Sequence, residues 1–474
     1  MCETRNLTIP PLGGPSDLSR PHLIAIGGAG MSALALLLAG RGSHVTGSDL
    51  SASTVTARVQ AAGCRVHIGH DAAHLDNPSV VVWSSGIEES NPEMIAARAA
   101  GTPVVHRSHV LAQLLGDAEE SVIVGGTHGK STTTAMLATA LDALAPSWAG
   151  GAALVGGLNA QQGAGSLFVA EGDESDRSIS LYRPDVAVVL NVDDDHPETF
   201  ADRADAIDVF AEFAGQARTL VVSADDPGAR ELAGRVRDRD GLRVVTFGES
   251  GGADIRVTAI EPTGTGHTVT LADLDGTAVT FTVQVPGRHT AMNAVAAFAT
   301  GRVLGVPAAD LTGGLGRFSG IERRMTVSGI ADGVTVRESF AHHPTAIAAD
   351  LGTAKALTEG RIITVFQSTG TTRTALLGEA MGRALAAADE VIILPVHATM
   401  PSPVGAVTAK SIGRAAVANG ARVYPAATLE QAASLAATLA RPGDLVITMG
   451  TGGVAGLGAQ ILARVDTATA TVVA

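Results

Sequence analysis

Ser121-Val122-Ile123-Val124-Gly125-Gly126-Thr127-His128-Gly129-Lys130-Ser131 reads as an apolar strand running straight into a glycine-rich turn that ends in Lys-Ser, with a helix after it. In such a unit, backbone N–H groups and the helix N-terminus face an anion. Lys130 adds a point charge, and the Ser131 hydroxyl can ligate Mg²⁺. The chain has only three lysines, Lys130, Lys355 and Lys410, and one falls in this turn. The spacing departs from the common phosphate-loop pattern because Val124 stands where the first glycine would be. The competing reading is a strand–helix turn that binds nothing. The flanking strand and helix argue against it and predict a parallel α/β sheet.

Two acidic segments follow, each after an apolar strand. Glu171-Gly172-Asp173-Glu174-Ser175-Asp176 follows 167–170, and Asn191-Val192-Asp193-Asp194-Asp195-His196 follows 186–190. In a parallel sheet both segments reach the same carboxyl edge as the phosphate loop. Acidic groups and a histidine beside a phosphate loop suit Mg²⁺. Taken singly, Asp173, Asp193 and Asp194 could equally be loop or helix caps.

Upstream, a polar, Pro/Gly-rich tail ends near Arg20, and a strand at 22–26 enters Gly27-Gly28-Ala29-Gly30 and a helix to Gly40. Strands are predicted again at 44–48, 80–84 and 104–105. This turn approximates a dinucleotide fingerprint with Ala25 in place of the first glycine, and Asp49 could bind a ribose hydroxyl. It suits NAD, FAD, a nucleotide-sugar diphosphate or a purely structural turn. Downstream, a strand at 220–223 precedes the Thr/Val alternation of 254–285, which predicts an antiparallel insert, and a helix spans 290–304. A third α/β unit follows a junction at 318–324, with strands at 362–366, 391–395 and 445–449 and helices at 375–388 and 409–419. Pro286-Gly287-Arg288-His289, Arg323-Arg324 and His342-His343-Pro344-Thr345 sit at element edges, where cleft positions occur.

The 474 residues favour three domains. Hydrophobic residues at 46% support cores along the whole length, built from Ala, Val and Leu because aromatics are 3%. A net charge of −14 with no basic stripe argues against nucleic acid. Two cysteines, Cys2 and Cys64, give no disulfide framework and fit a reducing compartment. Residues 1–20 lack the pattern of a signal peptide, and no apolar run reaches spanning length. The composition predicts a cytoplasmic enzyme with no membrane partner.

Taken in order, IGGAGMS (26–32), GGTHGKSTTT (125–134), EGDESD (171–176), PGRHTAMNAVAA (286–297) and AHHPT (341–345) resemble the Mur ligases, especially their alanine-adding branch. The resemblance runs from about residue 21 to 465. It implies an α/β chain of three domains: a Rossmann-like UDP-sugar-binding domain (1–118), a P-loop ATP-binding domain with an antiparallel insert (119–322), and a Rossmann-like amino-acid-binding domain (323–474). It implies an ATP- and Mg²⁺-dependent ligase that joins UDP-N-acetylmuramate to an amino acid, acting as a monomer or homodimer. Gly27, Gly28, Gly30, Met31, Ser32 and Ser84 would contact the UDP-sugar, with Asp49 on the uridine side. Gly126, Thr127, His128, Gly129, Lys130, Ser131, Thr132, His289, Asn293 and Arg323 would hold ATP, Asn293 at the adenine. Ser131, Glu174 and His196 would ligate metal. Lys130, Arg324, Arg373 and His343 would act in catalysis, and His342 and His343 would meet the substrate. Sister Mur ligases use a carbamylated central-domain lysine; Lys130 is the only lysine in this one.

The departures concentrate in the third domain, with one, Thr290, in the second. The family's Asp-(Asp/Ser)-Tyr is Glu338-Ser339-Phe340, its Thr-Glu is Thr345-Ala346, and its Pro-His stretch is Ser368-Thr369. Its Gly-Ala-Gly-Asp is Gly450-Thr451-Gly452-Gly453, and Thr290 replaces an Asn or Tyr. They imply an altered amine pocket, and with it the alternative of a divergent paralogue joining another acid or amine. A nicotinamide oxidoreductase would not need the phosphate loop and acidic segments. A dead regulator would show damage at Lys130, Ser131 or Glu174. The proton acceptor stays open between His343 and His196, since a metal-bound histidine is no base.

Overall fold

The computed structural model describes residues 13–397 and 407–472. Its strands form three sheets, one per stretch of sequence. The first is parallel, in the order Arg65–Ile68, Thr46–Asp49, Pro21–Ile24, Val80–Trp83, Val104–His106. The chain starts in the middle and winds outward both ways, which puts the Gly27 turn at the switch point. Met31 to Leu38 in the helix Ala29–Gly40 are all buried. That helix is covered twice, by its own sheet and by the strands Ser147–Ala149 and Ala160–Gln161 of the next. Its continuous apolar sequence, with no polar face, follows from that.

The central sheet has ten strands. Glu120–Gly125 lies between Val186–Val189 and Leu167–Glu171, with Gly125 opposite Val189 and Val124 opposite Glu171. The phosphate-type turn and both acidic segments therefore leave the same carboxyl edge, as expected. The antiparallel strands Ile255–Thr263, Gly266–Ala272 and Ala278–Val283 extend this sheet from the edge of Arg243–Gly248.

In the third sheet Leu445–Gly450 lies between Val334–Ser339 and Ile362–Gln367, all parallel. The last core strand is thus central, and it brings Gly450 and Thr451 beside Gln367. The edge strand Arg422–Pro425 and the helix Leu429–Leu439 were not predicted; the strand is only half-buried, so its pattern carries no clear period. The helix expected at 375–388 is Thr371–Leu385, opening at Gly370. The Thr/Ala-rich tail continues the helix Leu457–Val472. Cys2 lies outside the described residues.

A polar knot stabilises the first domain. Glu93 is fully buried. Its carboxylate accepts from Ser48 Oγ at 2.5 Å and His74 Nδ1 at 2.9 Å, with His22 Nε2 at 3.6 Å and His70 Nδ1 at 3.5 Å. Burial alone would raise its pKa, but the close approach of His22 and the hydrogen bonds from Ser48 and His74 outweigh that and bring it from 4.5 to about 2. The folded value lies below the unfolded one, so its stabilisation is full above about pH 4.5 and is lost as pH falls through about 2. Glu93→Gln is expected to cost about 2–3 kcal/mol at pH 7 and to lose that deficit towards pH 2. Urea unfolding at both pH values checks this; equal stability at pH 7 would contradict it.

Candidate active site

Several helices in this chain start on a side-chain cap: Ser53, Asn91, Asp202, Asp226 and His343 each accept from backbone N–H groups. The helices Ala29–Gly40 and Lys130–Ala140 start from Gly28 and Gly129 with no side-chain cap. Their N–H groups are left for an anion. Both turns open into one cleft of about 1210 Å³, whose wall comes from all three sheets. Of the residues predicted for the site, only Asp49, Gly126 and Glu174 are not part of that wall.

The loop at 125–131 is braced by its neighbour. Asn191 Oδ1 accepts from His128 N at 2.7 Å, Asn191 Nδ2 donates to His128 O, and Asp193 N donates to Thr127 Oγ1. Gly129 has φ +89°, and a Cβ there would stand 2.6 Å from Asn293 Oδ1. Only glycine lets the helix bearing Asn293 come this close.

The Lys130 side chain does not face open solvent; it is mostly buried. Its Nζ donates to Glu174 Oε1 at 2.8 Å, Gly126 O at 2.7 Å and Thr127 O at 3.3 Å. Burial would lower its pKa, but Glu174, Glu171 and Asp173 raise it overall, so the ammonium stays charged. An ammonium in so tight a site needs a carboxylate at hand. Burial raises the Glu174 pKa despite Lys130 and His196.

Glu174 Oε2 is buried with no hydrogen-bond partner. His196 Nε2 lies 3.8 Å from Glu174 Oε1. Across the loop, Ser131 Oγ and both Glu171 carboxylate oxygens converge on Gly151. An orphaned oxygen on a carboxylate that an imidazole also approaches is a donor pair that fits a divalent cation. His196, at φ +53°, lines the cleft. Burial would lower its pKa, but Glu198, Asp195 and Glu174 raise it.

In the first domain, Asp49 Oδ2 accepts from Gly27 N at 2.9 Å and so pins the turn from behind. A Cβ at Gly27 would stand 2.8 Å from that oxygen. The Ser32 hydroxyl donates to Ala29 O and accepts from Asn159 Nδ2, so its polar atom is used internally. Ser84 lines the cleft.

Sequence reasoning missed Arg107. It opens the helix after Val104–His106, at the carboxyl edge, and that position was the signal available. Its guanidinium lies against Gly30 and donates to Asp173 and Asp176 at 2.8 Å each. Ser85 Oγ also donates to Asp176 at 2.6 Å. The acidic segment is thereby tied to the first domain's glycine turn. Arg58 and Glu322 form a second clasp, bidentate, between the first domain and the junction.

The third domain closes over the other acidic segment. Arg373 donates from Nε and NH2 to Asp195 Oδ1 at 3.0 and 2.8 Å. Thr345 Oγ1 donates to Asp193 at 2.7 Å. His343, expected as a possible base, has both nitrogens occupied: Nε2–H donates to Asp194 O at 3.0 Å, and Nδ1 accepts from Thr345 N. It caps the helix Pro344–Leu357 and joins domains, so it takes no proton in this arrangement. His342 donates from Nδ1 to Phe340 O at 2.9 Å, leaving Nε2 as the lone-pair nitrogen. Burial pushes its pKa to about 3, so it is neutral.

Arg323 and Arg324 flank the Phe340 ring at 4.8 and 5.0 Å, and Arg323 also donates to Gly450 O. His289 Nε2 lies 3.6 Å from Asp350. The sequence departures gather here: Phe340, and Ser368 with Thr369, stand at the carboxyl edges of the two strands that flank Leu445–Gly450. Ser368 Oγ is bonded to Thr374 Oγ1, and Thr369 Oγ1 to Thr451 Oγ1.

Comparison with known families matches residues 20–118 to the Mur ligase family catalytic domain, 124–301 to the Mur ligase middle domain, and 323–452 to the Mur ligase glutamate ligase domain. The chain is 48% identical over 462 residues to UDP-N-acetylmuramate–L-alanine ligase of Streptomyces avermitilis, covering 96% of this chain and 99% of that one. It is 41% identical over 473 residues to the same-named protein of Mycolicibacterium vanbaalenii, covering 95% and 97%. Among solved structures, UDP-N-acetylmuramate–alanine ligase of Thermotoga maritima superposes with a TM-score of 0.80 at 25% identity, over 95% of this chain and 99% of that one. A murein peptide ligase of Psychrobacter arcticus shares the fold, with a TM-score of 0.72 at 22% identity over 94% and 98%.

Proposed function

The chain belongs to the Mur ligase family and is an ATP-dependent ligase that forms an amide bond, and we propose that it joins UDP-N-acetylmuramate to L-alanine in peptidoglycan precursor synthesis. One observation carries the assignment: two uncapped helix starts and the third domain's His-His-Pro edge line the same cleft. The first-domain turn would take the UDP diphosphate, the Lys130 loop the ATP phosphates, and the third domain the amine. The domains would run 1–118, 119–322 and 323–474. Among the described residues no helix is long and apolar enough to cross a membrane, and ATP and UDP-sugar pools place the work in the cytoplasm.

A carboxylate has no leaving group for amide formation. Its oxygen attacks the γ-phosphorus of ATP, ADP departs, and the acyl phosphate is open to a neutral amine. The amine nitrogen adds to the carbonyl, phosphate is expelled, and one proton is released. Lys130 and Arg324 set positive charge where phosphoryl charge moves, and the loops hold the reactants in line. Ser131, Glu174 and His196 would hold Mg²⁺, which neutralises phosphoryl oxygens. His342 Nε2 accepts a hydrogen bond from the amine and orients it; at a pKa of about 3 it does not keep the proton, which passes to solvent.

ADP and phosphate are expected only when ATP, UDP-N-acetylmuramate and an amino acid are all present, with L-alanine preferred over larger amino acids by kcat/KM. At the altered third-domain edge Phe340 offers no hydroxyl and the Ser368 and Thr369 hydroxyls are already bonded, so competition between amines is the point to test. A larger amino acid outcompeting L-alanine would overturn the alanine assignment.

A further inference from the structure

A separate cluster of metal-type ligands bridges the middle and third domains. Among the described residues, His128, Asp193 and His343 bring one ligand atom each within 4.8 Å of the others. His128 Nε2 lies 3.3 Å from Asp193 Oδ2, and His343 Nδ1 lies 3.8 Å from the same oxygen. The two rings are 4.8 Å apart between centroids, tilted by 42°. Ligand atoms around a tetrahedral zinc, at roughly 2.0–2.1 Å from the ion, stand about 3.3 Å from one another, so small side-chain movements complete the geometry.

The tautomer of His343 is already set for ligation. Its Nε2–H is spent on Asp194 O at 3.0 Å, which turns the Nδ1 lone pair towards Asp193. Metal-bound histidines are oriented in this way, by a carbonyl on the far nitrogen. The bond an ion would displace from Nδ1 is a long one, from Thr345 N at 3.3 Å. Asp193 is fixed by Thr345 Oγ1 at 2.7 Å on Oδ2 and by Asp194 N at 2.9 Å on Oδ1.

We propose that His128, Asp193 and His343 form a binding site for a divalent transition ion of the Zn²⁺, Co²⁺ or Ni²⁺ class, which clamps the middle domain to the third. Two imidazoles and one carboxylate select such ions over Mg²⁺, which prefers oxygen ligands. His128 belongs to the phosphate-type loop and His343 opens the helix Pro344–Leu357, so the ion ties that loop to the opposite wall of the cleft. Occupancy holds the cleft shut and slows exchange of whatever it contains.

The proposal does not rest on the ligase assignment, although it shares His128 and His343 with that cleft, and its test uses no nucleotide or amino acid. Chelator-treated full-length protein is titrated with Zn²⁺ in competition with a chromophoric chelator. A single ion is expected to bind. His128→Ala, Asp193→Asn and His343→Ala should each weaken it by roughly 10–100-fold or more. His196→Ala and Glu174→Gln should bind as the parent does, and millimolar Mg²⁺ should not compete. Co²⁺ should give visible tetrahedral absorption bands that one equivalent of Zn²⁺ removes. His343→Ala also loses a helix cap, so thermal melts without metal are compared, and the isosteric Asp193→Asn decides if that variant fails to fold. The proposal is overturned if the parent binds no ion, if Asp193→Asn and His128→Ala bind normally, or if binding is lost in His196→Ala and Glu174→Gln instead.

Discussion

Lys130→Met is expected to lower the ligation rate by about 10²–10³-fold or more, because a charge aimed at a transferring phosphoryl group acts mainly in the transition state. The structure adds a second consequence. Lys130 is the direct charge partner of buried Glu174, so the variant leaves that carboxylate unpaired. A loss of stability is expected alongside the loss of rate, on the order of 3 kcal/mol, as when one partner of a buried pair is removed. Lys130→Met combined with Glu174→Gln separates the two effects. The double variant should regain most of the stability and none of the rate. Thermal unfolding and steady-state phosphate release read the two separately. Near-normal turnover in a folded Lys130→Met protein would remove the phosphate-loop assignment.

Glu174→Gln and His196→Ala are expected to produce the second-largest effects, and of a different kind. Glu174 Oε2 is buried without a partner, and His196 Nε2 lies 3.8 Å from the other oxygen of the same carboxylate. Each substitution should raise the Mg²⁺ concentration needed for half-maximal rate by roughly 10–100-fold, the scale on which altered metal surroundings act. Glu174→Gln also removes the partner of Lys130, whereas His196→Ala does not. A shared shift in Mg²⁺ dependence would therefore report the metal and not the ion pair. Wild-type Mg²⁺ dependence in both variants would show that neither residue is a ligand.

The parallel sheets and their shared carboxyl edge were legible because strands such as Val80–Trp83 and Glu120–Gly125 are short apolar runs that break at glycine or polar residues. Once both acidic segments were placed on that edge, their nearness to Lys130 followed. The partners within a segment were not legible. In EGDESD, Glu171 turns to Gly151 N, Glu174 to Lys130, and Asp173 and Asp176 to Arg107 in another domain. A tight turn from Glu174 to Arg177, with Arg177 at φ +63°, sorts them, and six residues of sequence carry no sign of it. His343 shows the same limit. Its position beside Pro344 marked an element edge, but its use as a cap depends on Asp194, 149 residues away. The central placement of Leu445–Gly450 was equally hidden, since a parallel crossover leaves no local mark on the strand that fills the gap.

The most direct measurement is the fate of the carboxylate oxygen. UDP-N-acetylmuramate labelled with ¹⁸O in its carboxyl group is turned over with ATP and L-alanine, and the released phosphate is weighed by mass spectrometry. Ligation through an acyl phosphate predicts one ¹⁸O atom in each phosphate released and one retained in the amide. Unlabelled phosphate, formed at the same rate as the product, would contradict it.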